Sequence, residues 1–435
     1  MDWETLASQN PWWEDEKDIE KDEKVREATG KKDKFVLPFL KGNYLIFGPR
    51  QTGKTTYLKL CIMELIGKGV PASKCLYFVC NLAMSPQDII DIVSLFKKSG
   101  GEYVFLDEVS FVPGWERAVK HLLEVRKFSE GLNFYFTGST ILELQKERFP
   151  GRPIRIREFL PLNFREFCLL FGSRKLKSAI PKPSGLGTIP DMAPRLMSHL
   201  PEISRLFNLY IHCGGFLRSA YELVEEGRIK EETFNIYWDR IAGDIARAGL
   251  SERTLSGVLK GVTRRYCSSF SLSALAKEVD IHSHITVRDY LEVLESFYVL
   301  RSYWKGYEKA PVFRKERKVY FIDPFLYHLA SFKTLGAREE APESTPKIVE
   351  GIVGEGIKRS GLEVKFLKRG GELDFFSGGV GIEVKWRETV SESDFPDFQA
   401  RQKILLSKNQ LSSGNVDIIP VPLFLLLLKH RIQFV

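Results

Sequence analysis

The chain has 435 residues, 43% of them hydrophobic and 28% charged, with 64 Lys and Arg against 56 Asp and Glu for a formal net charge of +8. That length exceeds one ordinary core and predicts roughly two to four domains; the composition excludes a disordered or fibrous chain, and the basic balance permits a nucleic-acid partner without demanding one. The N-terminus is acidic and polar, unlike a secretory leader, and the longest apolar run, Val421 to Leu428 with Pro422 inside it, is far too short to span a membrane and reads as a buried strand.

Residues 1–34 form an N-terminal arm. Asn10-Pro11-Trp12-Trp13 is followed by a stretch of mixed charge from Glu14 to Lys34, expected to be a solvated helix or a mobile arm, while the paired tryptophans are expected to dock on the body of the protein. Residues 35–160 alternate strand and helix. Candidate strands are Tyr44–Phe47, Cys75–Cys80, Tyr103–Leu106 and Asn133–Thr137, a pattern that predicts a parallel sheet covered on both faces.

The first strand runs into Gly48-Pro49-Arg50-Gln51-Thr52-Gly53-Lys54-Thr55, a G-x-x-x-x-G-K-[ST] match, with Thr56 next and a helix expected from Thr55 to Ile66. Glycines let backbone N–H groups close around phosphates, and the helix N-terminus favours the anion. Lys54 is placed to reach the β- and γ-phosphates, and the Thr55 hydroxyl to ligate Mg²⁺. Alone, such a match also describes a Gly- and Thr-rich turn. The strand Glu102 to Leu106, ending in Asp107-Glu108, decides for nucleotide binding. Asp107 is spaced to hold the Mg²⁺ shell and Glu108 to polarise the attacking water. The strand at Asn133 ends in Thr137-Gly138-Ser139, where a polar residue would sit beside the γ-phosphate; a simple turn is the alternative. ATP is expected over GTP, because the sequence has no Asn-Lys-x-Asp guanine-reading run.

Residues 161–230 read as a helical lid with an exposed insertion near 172–194, rich in Pro, Gly, Ser and Lys. Residues 231–335 hold further helices and a winged-helix unit. Its second helix presents Asp289, Glu292 and Glu295 against Arg288, a face that repels phosphate. The hairpin after it interleaves Arg301, Lys305, Lys309, Arg314, Lys315, Arg317 and Lys318 with Tyr303, Trp304, Tyr307 and Phe313, which suits either DNA contact or a solvated charged hairpin. A linker spans 336–347.

Residues 348–435 read as a final α/β domain. Strands around Asp374 and Glu383 meet across a Gly-Gly turn, and alternation sets Asp374, Glu383 and Lys385 on one face, with Glu355 on the helix upstream. Two hard-oxygen ligands for Mg²⁺, Asp374 and Glu383, beside the Lys385 cation match the PD-(D/E)xK nuclease pattern, with Leu373 where that pattern has proline. Six scattered cysteines, Cys61, Cys75, Cys80, Cys168, Cys213 and Cys267, show no zinc spacing and are expected to be core thiols of a reducing, cytoplasmic compartment.

The whole resembles the prokaryotic, mostly archaeal, AAA-type ATPases that carry a C-terminal domain of unknown function with a PD-(D/E)xK-like core. The resemblance rests on Asn10 to Trp13, Gly48–Thr55, Asp107-Glu108, Trp115, Thr137 to Ser139, Gly151-Arg152, Pro161 to Phe167 and Gly214-Gly215-Phe216. It implies that Thr137 or Ser139 is the sensor on the fourth strand and that Arg152 senses the γ-phosphate or acts as a finger between subunits of a homo-oligomer. Two functions follow as alternatives: an ATP-dependent DNA enzyme whose C-terminal domain cuts with Mg²⁺, or a nucleotide-controlled switch whose C-terminal domain binds DNA or protein without cutting. A small-molecule kinase is a weaker third, because the strand-tip acid pair and long helical tail suit a mechanical ATPase better.

Overall fold

The computed structural model describes residues 3–34, 37–140, 153–306, 316–337 and 343–430. Arg152 and the hairpin residues Tyr307, Lys309, Phe313, Arg314 and Lys315 lie outside them. The chain parts into two compact units at Leu160/Pro161.

Unit 1 opens with α1 (Trp3–Gln9), α2 (Asp18–Lys21) and α3 (Glu23–Gly30), then β1 (Tyr44–Phe47), α4 (Lys54–Gly67), β2 (Cys75–Val79), α5 (Pro86–Lys98), β3 (Tyr103–Asp107), α6 (Trp115–Glu124), α7 (Arg126–Ser129), β4 (Asn133–Gly138) and β5 (Arg155–Glu158). The strands form one parallel sheet in the order β2-β3-β4-β1-β5. Every residue of β1 is buried, as helices on both faces of a parallel sheet require. Helix α5 starts on a capping box between Ser85 and Asp88 with Pro86 in its first turn. Strand β5, with its Arg-Ile-Arg-Glu sequence, did not stand out as a strand; it is a sheet edge, where charge is tolerated and alternation is weak.

At the opposite edge, β2 is closed by the N-terminal arm. Asn10 Nδ2 donates to Tyr77 O (2.9 Å) while its Oδ1 accepts from Tyr77 N (2.7 Å), so one side-chain amide does the work of a neighbouring strand. Val79 N donates to Gln9 Oε1 at 2.9 Å, and the Trp13 indole donates to Cys75 O at 2.8 Å. The tryptophans dock as expected. The charged stretch behind them is also anchored, through buried Ile19 and Val25 and an ion pair of Asp22 with Lys59 on α4 (2.5 Å).

Unit 2 contains α8 (Phe164–Phe171), α9 (Arg174–Ala179), α10 (Ile189–Met192), α11 (Leu200–Cys213), α12 (Leu217–Glu226), α13 (Glu231–Arg247), α14 (Glu252–Arg264), α15 (Leu272–Glu278) and α16 (His284–Ser296). There follow β6 (Leu300–Gly306), β7 (Arg317–Phe321), α17 (Pro324–Leu335), α18 (Thr345–Arg359), β8 (Lys365–Lys368), β9 (Glu372–Ser377), β10 (Val380–Val384), β11 (Gln402–Ser407), β12 (Asp417–Pro420) and α19 (Val421–Leu427). The expected order of helix, helix and hairpin is met by α15, α16 and β6–β7. The hairpin does not stand alone, because β6 pairs in parallel with β8 and the sheet runs β12-β11-β10-β9-β8-β6-β7.

Two local expectations need correction. The insertion at 172–194 is not a bare exposed loop: it carries α9 and α10, buries Leu176, Leu186 and Ile189, and Ser184 exchanges backbone hydrogen bonds with Leu427 and Lys429 (2.7 Å each). The run at Val421 is a helix, α19, and not a strand; Pro422 sits in its first turn, where a missing N–H does no harm, and all of its residues are buried. A short apolar run has no polar positions to reveal its period.

The Gly214-Gly215-Phe216 landmark also has a packing reason. Gly214 has φ +62°, and a Cβ there would meet Asp323 Oδ1 at 1.8 Å. Asp323 is buried, accepts from Gly215 N (2.8 Å) and caps α17 at Phe325 N (2.9 Å).

Candidate nucleotide site and a second acid cluster

The loop between β1 and α4 is held tightly. A Cβ on Gly48 would lie 1.9 Å from Phe159 O, so only glycine lets the chain leaving β5 pass. Gln51 (φ 64°) and Gly53 (φ 97°) turn the loop back on itself, and Thr52 Oγ1 donates to Pro49 O at 3.0 Å. Lys54 is buried, with its Nζ donating to Gly48 O (2.8 Å) and Pro49 O (2.7 Å). Thr56 follows, half-buried, on the first turn of α4.

The sheet order sets β4 between β1 and β3, and that brings three elements onto one carboxylate. Asp107, 2% exposed at the tip of β3, accepts from Thr55 Oγ1 (2.7 Å) and Tyr77 OH (2.8 Å) on Oδ2, and from Thr137 Oγ1 on Oδ1. Thr137 Oγ1 in turn accepts from Glu108 N at 2.9 Å. Ser139 stands one step further out, its N–H on Ser110 Oγ at 3.3 Å. Glu108 itself adopts φ 56° and pairs with Arg50 (3.6 Å), whose guanidinium also lies 5.1 Å over the Phe111 ring. Burial, then the negative charge of Asp107, drives the Tyr77 phenol well above its ordinary range, so it stays a donor.

This donor set fits Mg²⁺ with a triphosphate. The ion takes one or two protein oxygens and fills its octahedron from phosphate and water, and the Thr55 hydroxyl and the Asp107 carboxylate are adjacent. Residues 41–168 match the family model of the AAA domain. Within that domain, Tyr77 and the Arg50–Glu108 pair escaped the sequence reading. The one available signal for Tyr77 was a phenol inside the apolar run Leu76–Phe78.

Residues 204–338, from α11 through the hairpin to α17, match a domain of unknown function, DUF8612. No curated protein matches the chain. Among solved structures, it is similar to the RuvB Holliday junction branch migration motor of Thermotoga maritima (15% identity, 78% of this chain and 96% of that one, TM-score 0.25). It is similar also to Cdc6p of Pyrobaculum aerophilum (14%, 70% and 89%, 0.24) and AMPPCP-bound DnaA of Aquifex aeolicus (15%, 62% and 85%, 0.24). No described helix is long and apolar enough to cross a membrane.

The acids of unit 2 are arranged differently from the expected metal site. The antiparallel pair β9–β10 brings Asp374 and Glu383 together: Asp374 N donates to Glu383 Oε2 (3.3 Å), and Lys385 Nζ pairs with Glu383 Oε1 (2.5 Å). Burial, then the charge of Asp374, pushes Glu383 up to about 8 against the pull of Lys385. Glu355 is not with them. It is bound by Arg301 (2.8 Å) and Arg359 (2.9 Å), and Arg359 also donates to Pro161 O and Ile322 O, so this acid closes a buried structural network. The helix acid nearest Asp374 is instead Glu350, one turn and a half earlier on α18, reached through Lys318. Burial, then Asp374, pushes Glu350 up to about 7.

The described cations of the hairpin have partners within the protein. Lys318 is 1% exposed, Arg317 lies 4.0 Å over the Trp304 ring, and Lys305 pairs with Glu316 at 3.5 Å. Arg301, Arg317 and Lys318 are therefore not available to a phosphate backbone. On α16, Arg288 is taken up by Asp289 (2.9 Å) with Glu292 exposed beside it, but Glu295 is half-buried against Ser302 and is not part of that exposed face. Among the described residues, no group of three or more His, Cys, Asp or Glu is arranged to hold a metal ion, and the acids expected to form a nuclease centre do not fit one.

Proposed function

We propose that the AAA domain binds ATP with Mg²⁺ and hydrolyses it. The observation that carries this reading is the convergence of Thr55 from the phosphate loop and Thr137 from β4 on the single buried carboxylate of Asp107. Lys54, now on the loop carbonyls Gly48 O and Pro49 O, is within a side-chain rotation of phosphate oxygens lying along the same loop. Bound Mg²⁺ supplies charge neutralisation at the phosphates. Glu108, released from Arg50, accepts the proton of the attacking water, and Thr137 fixes the Glu108 backbone while it does so.

The reading is tested by titrating ATP and measuring turnover in two variants. Lys54→Ala is expected to lose ATP binding. Glu108→Gln is expected to keep it while turnover falls by about 10²–10⁴-fold. Unchanged ATP uptake in Lys54→Ala would remove the basis of the proposal.

Turnover serves, in this proposal, a nucleotide-controlled switch whose C-terminal region engages DNA or a protein without cutting. The Lys318 ammonium and the Val384 N–H, one on each oxygen of Asp374, favour this over a cutting enzyme. Turnover and molecular shape, followed with and without ATP and with duplex, forked and single-stranded DNA, separate the two uses. A shape change set by nucleotide alone supports the switch. Turnover multiplied by DNA, with the DNA cleaved in the same samples, sinks it.

A further inference from the structure

We infer that Lys318 is the resident cation of the acid cluster in unit 2, standing where a divalent ion would otherwise be needed, so that the cluster ties the β6–β7 hairpin to the C-terminal sheet. The inference rests on unit 2 alone and stands or falls separately from ATP binding.

Lys318 projects from β7 and is 1% exposed. Its ammonium carries three protons, and three carboxylates receive it: Glu350 Oε1 from α18 at 2.9 Å, Glu372 Oε1 from β9 at 2.8 Å, and Asp374 Oδ1 from β9 at 3.1 Å. Three donors and three charged acceptors at these distances form a complete set. Tyr320, two residues further along β7, adds its hydroxyl to Glu350. Burial disfavours the ammonium, but the charges of Asp374, Glu350 and Glu372 outweigh it and keep the group protonated.

Each oxygen of the two acids expected to ligate a metal already accepts a protein donor. Asp374 Oδ1 holds Lys318 and Oδ2 accepts from Val384 N at 3.1 Å. Glu383 Oε1 holds Lys385 and Oε2 accepts from Asp374 N. A divalent ion would have to compete with a buried ammonium for the same carboxylates and sit beside it, two like charges at close range. The lysine comes from a strand more than fifty residues upstream of Asp374, so the D…ExK spacing gives no sign of it.

The test titrates Mn²⁺ into the nucleotide-free full chain, reading free Mn²⁺ by electron paramagnetic resonance, and incubates supercoiled DNA with the same samples in Mn²⁺ or Mg²⁺. Wild type and Asp374→Asn are expected to bind equal amounts of Mn²⁺, and neither to nick DNA. A Mn²⁺ site or a nicking activity that Asp374→Asn abolishes overturns the inference. Lys318→Met is expected to gain a Mn²⁺ site that disappears again in the double variant with Asp374→Asn. Its melting temperature is expected to fall by about 10 °C and to recover partly with Mn²⁺. A folded Lys318→Met that gains no Mn²⁺ site also overturns it; should that variant fail to fold, the wild-type and Asp374→Asn measurements decide alone.

Discussion

Asp107 receives its donors from residues that differ greatly in how visible they were. Thr55 and Thr137 are tied to motif positions, so their convergence followed from strand order. Tyr77 was hidden, because a phenol in a buried strand gives no sign of what lies across the sheet from it. The Tyr77 hydroxyl shares Asp107 Oδ2 with Thr55 at 2.8 Å and 2.7 Å, which fixes that oxygen beside the Thr55 hydroxyl. Tyr77→Phe is expected to leave ATP binding intact and to lower turnover roughly 3–10-fold, the equivalent of about 1 kcal/mol of lost positioning. Equal turnover in the two proteins would make Tyr77 a packing residue only. A second residue-scale expectation concerns Glu383, pushed up to about 8 by burial and Asp374. An acid whose folded value is raised keeps its proton in the folded chain at a pH where the unfolded chain has lost it. Its stabilisation is therefore complete below the ordinary carboxyl range and declines as pH rises toward about 8. Glu383→Gln cannot ionise, so its stability relative to wild type should improve between pH 5 and 8, by at most about 1.4 kcal/mol per pH unit. Denaturant unfolding at pH 5, 6.5 and 8 reads this directly; a difference that stays flat means Glu383 ionises as an ordinary acid.

Single elements show where periodicity informs and where it fails. Strands β1 to β4 were legible because each is a short apolar run bounded by turn residues, in alternation with amphipathic helices. Helix α19 was not, since Val421 to Leu427 is apolar all round and its helical turn is set by burial in unit 2. The insertion at 172–194 was misjudged for a related reason: Leu176, Leu186 and Ile189 are too widely spaced among Pro, Gly and Ser to register as a face, yet each is buried. The N-terminal arm is the element whose role is most open to measurement. Cys75, Tyr77 and Val79 alternate along β2 and point their backbone groups outward, and the arm satisfies all three. Asn10→Ala removes the two hydrogen bonds on Tyr77 and leaves its buried N–H and C=O unpaired. The expected loss is about 1–3 kcal/mol of unit 1 stability, with faster proteolysis inside the first 34 residues. Limited proteolysis beside a thermal melt checks both; an unchanged melt means the other contacts of the arm hold it without Asn10.

At the scale of the molecule, the polar stretch 336–347 reads as a boundary in the sequence, yet the residues on either side of it share one sheet. The polar composition of that stretch suggested a linker, and a parallel pairing between strands some sixty residues apart leaves no local trace. Yet β6 pairs with β8 through Trp304, Lys305 and Gly306, and among the described residues the acids paired with Lys318 on β7 all lie beyond residue 347. A chain ending at residue 335 keeps the hairpin and loses its partners in the C-terminal sheet: β6 acquires an open edge, and Lys318, 1% exposed in the full chain, loses all three carboxylates. Removing the partners of a buried charge costs about 3–5 kcal/mol before the lost apolar burial is counted, which is a large part of a domain's whole stability. Residues 161–335 are therefore expected to aggregate or to lack a cooperative melt when the chain stops there. Residues 1–160, which form a unit of their own, should still melt cooperatively in the same truncated protein. A soluble 1–335 chain with two cooperative transitions would show instead that the hairpin folds with the helices before it, and that the C-terminal sheet is added onto a finished unit.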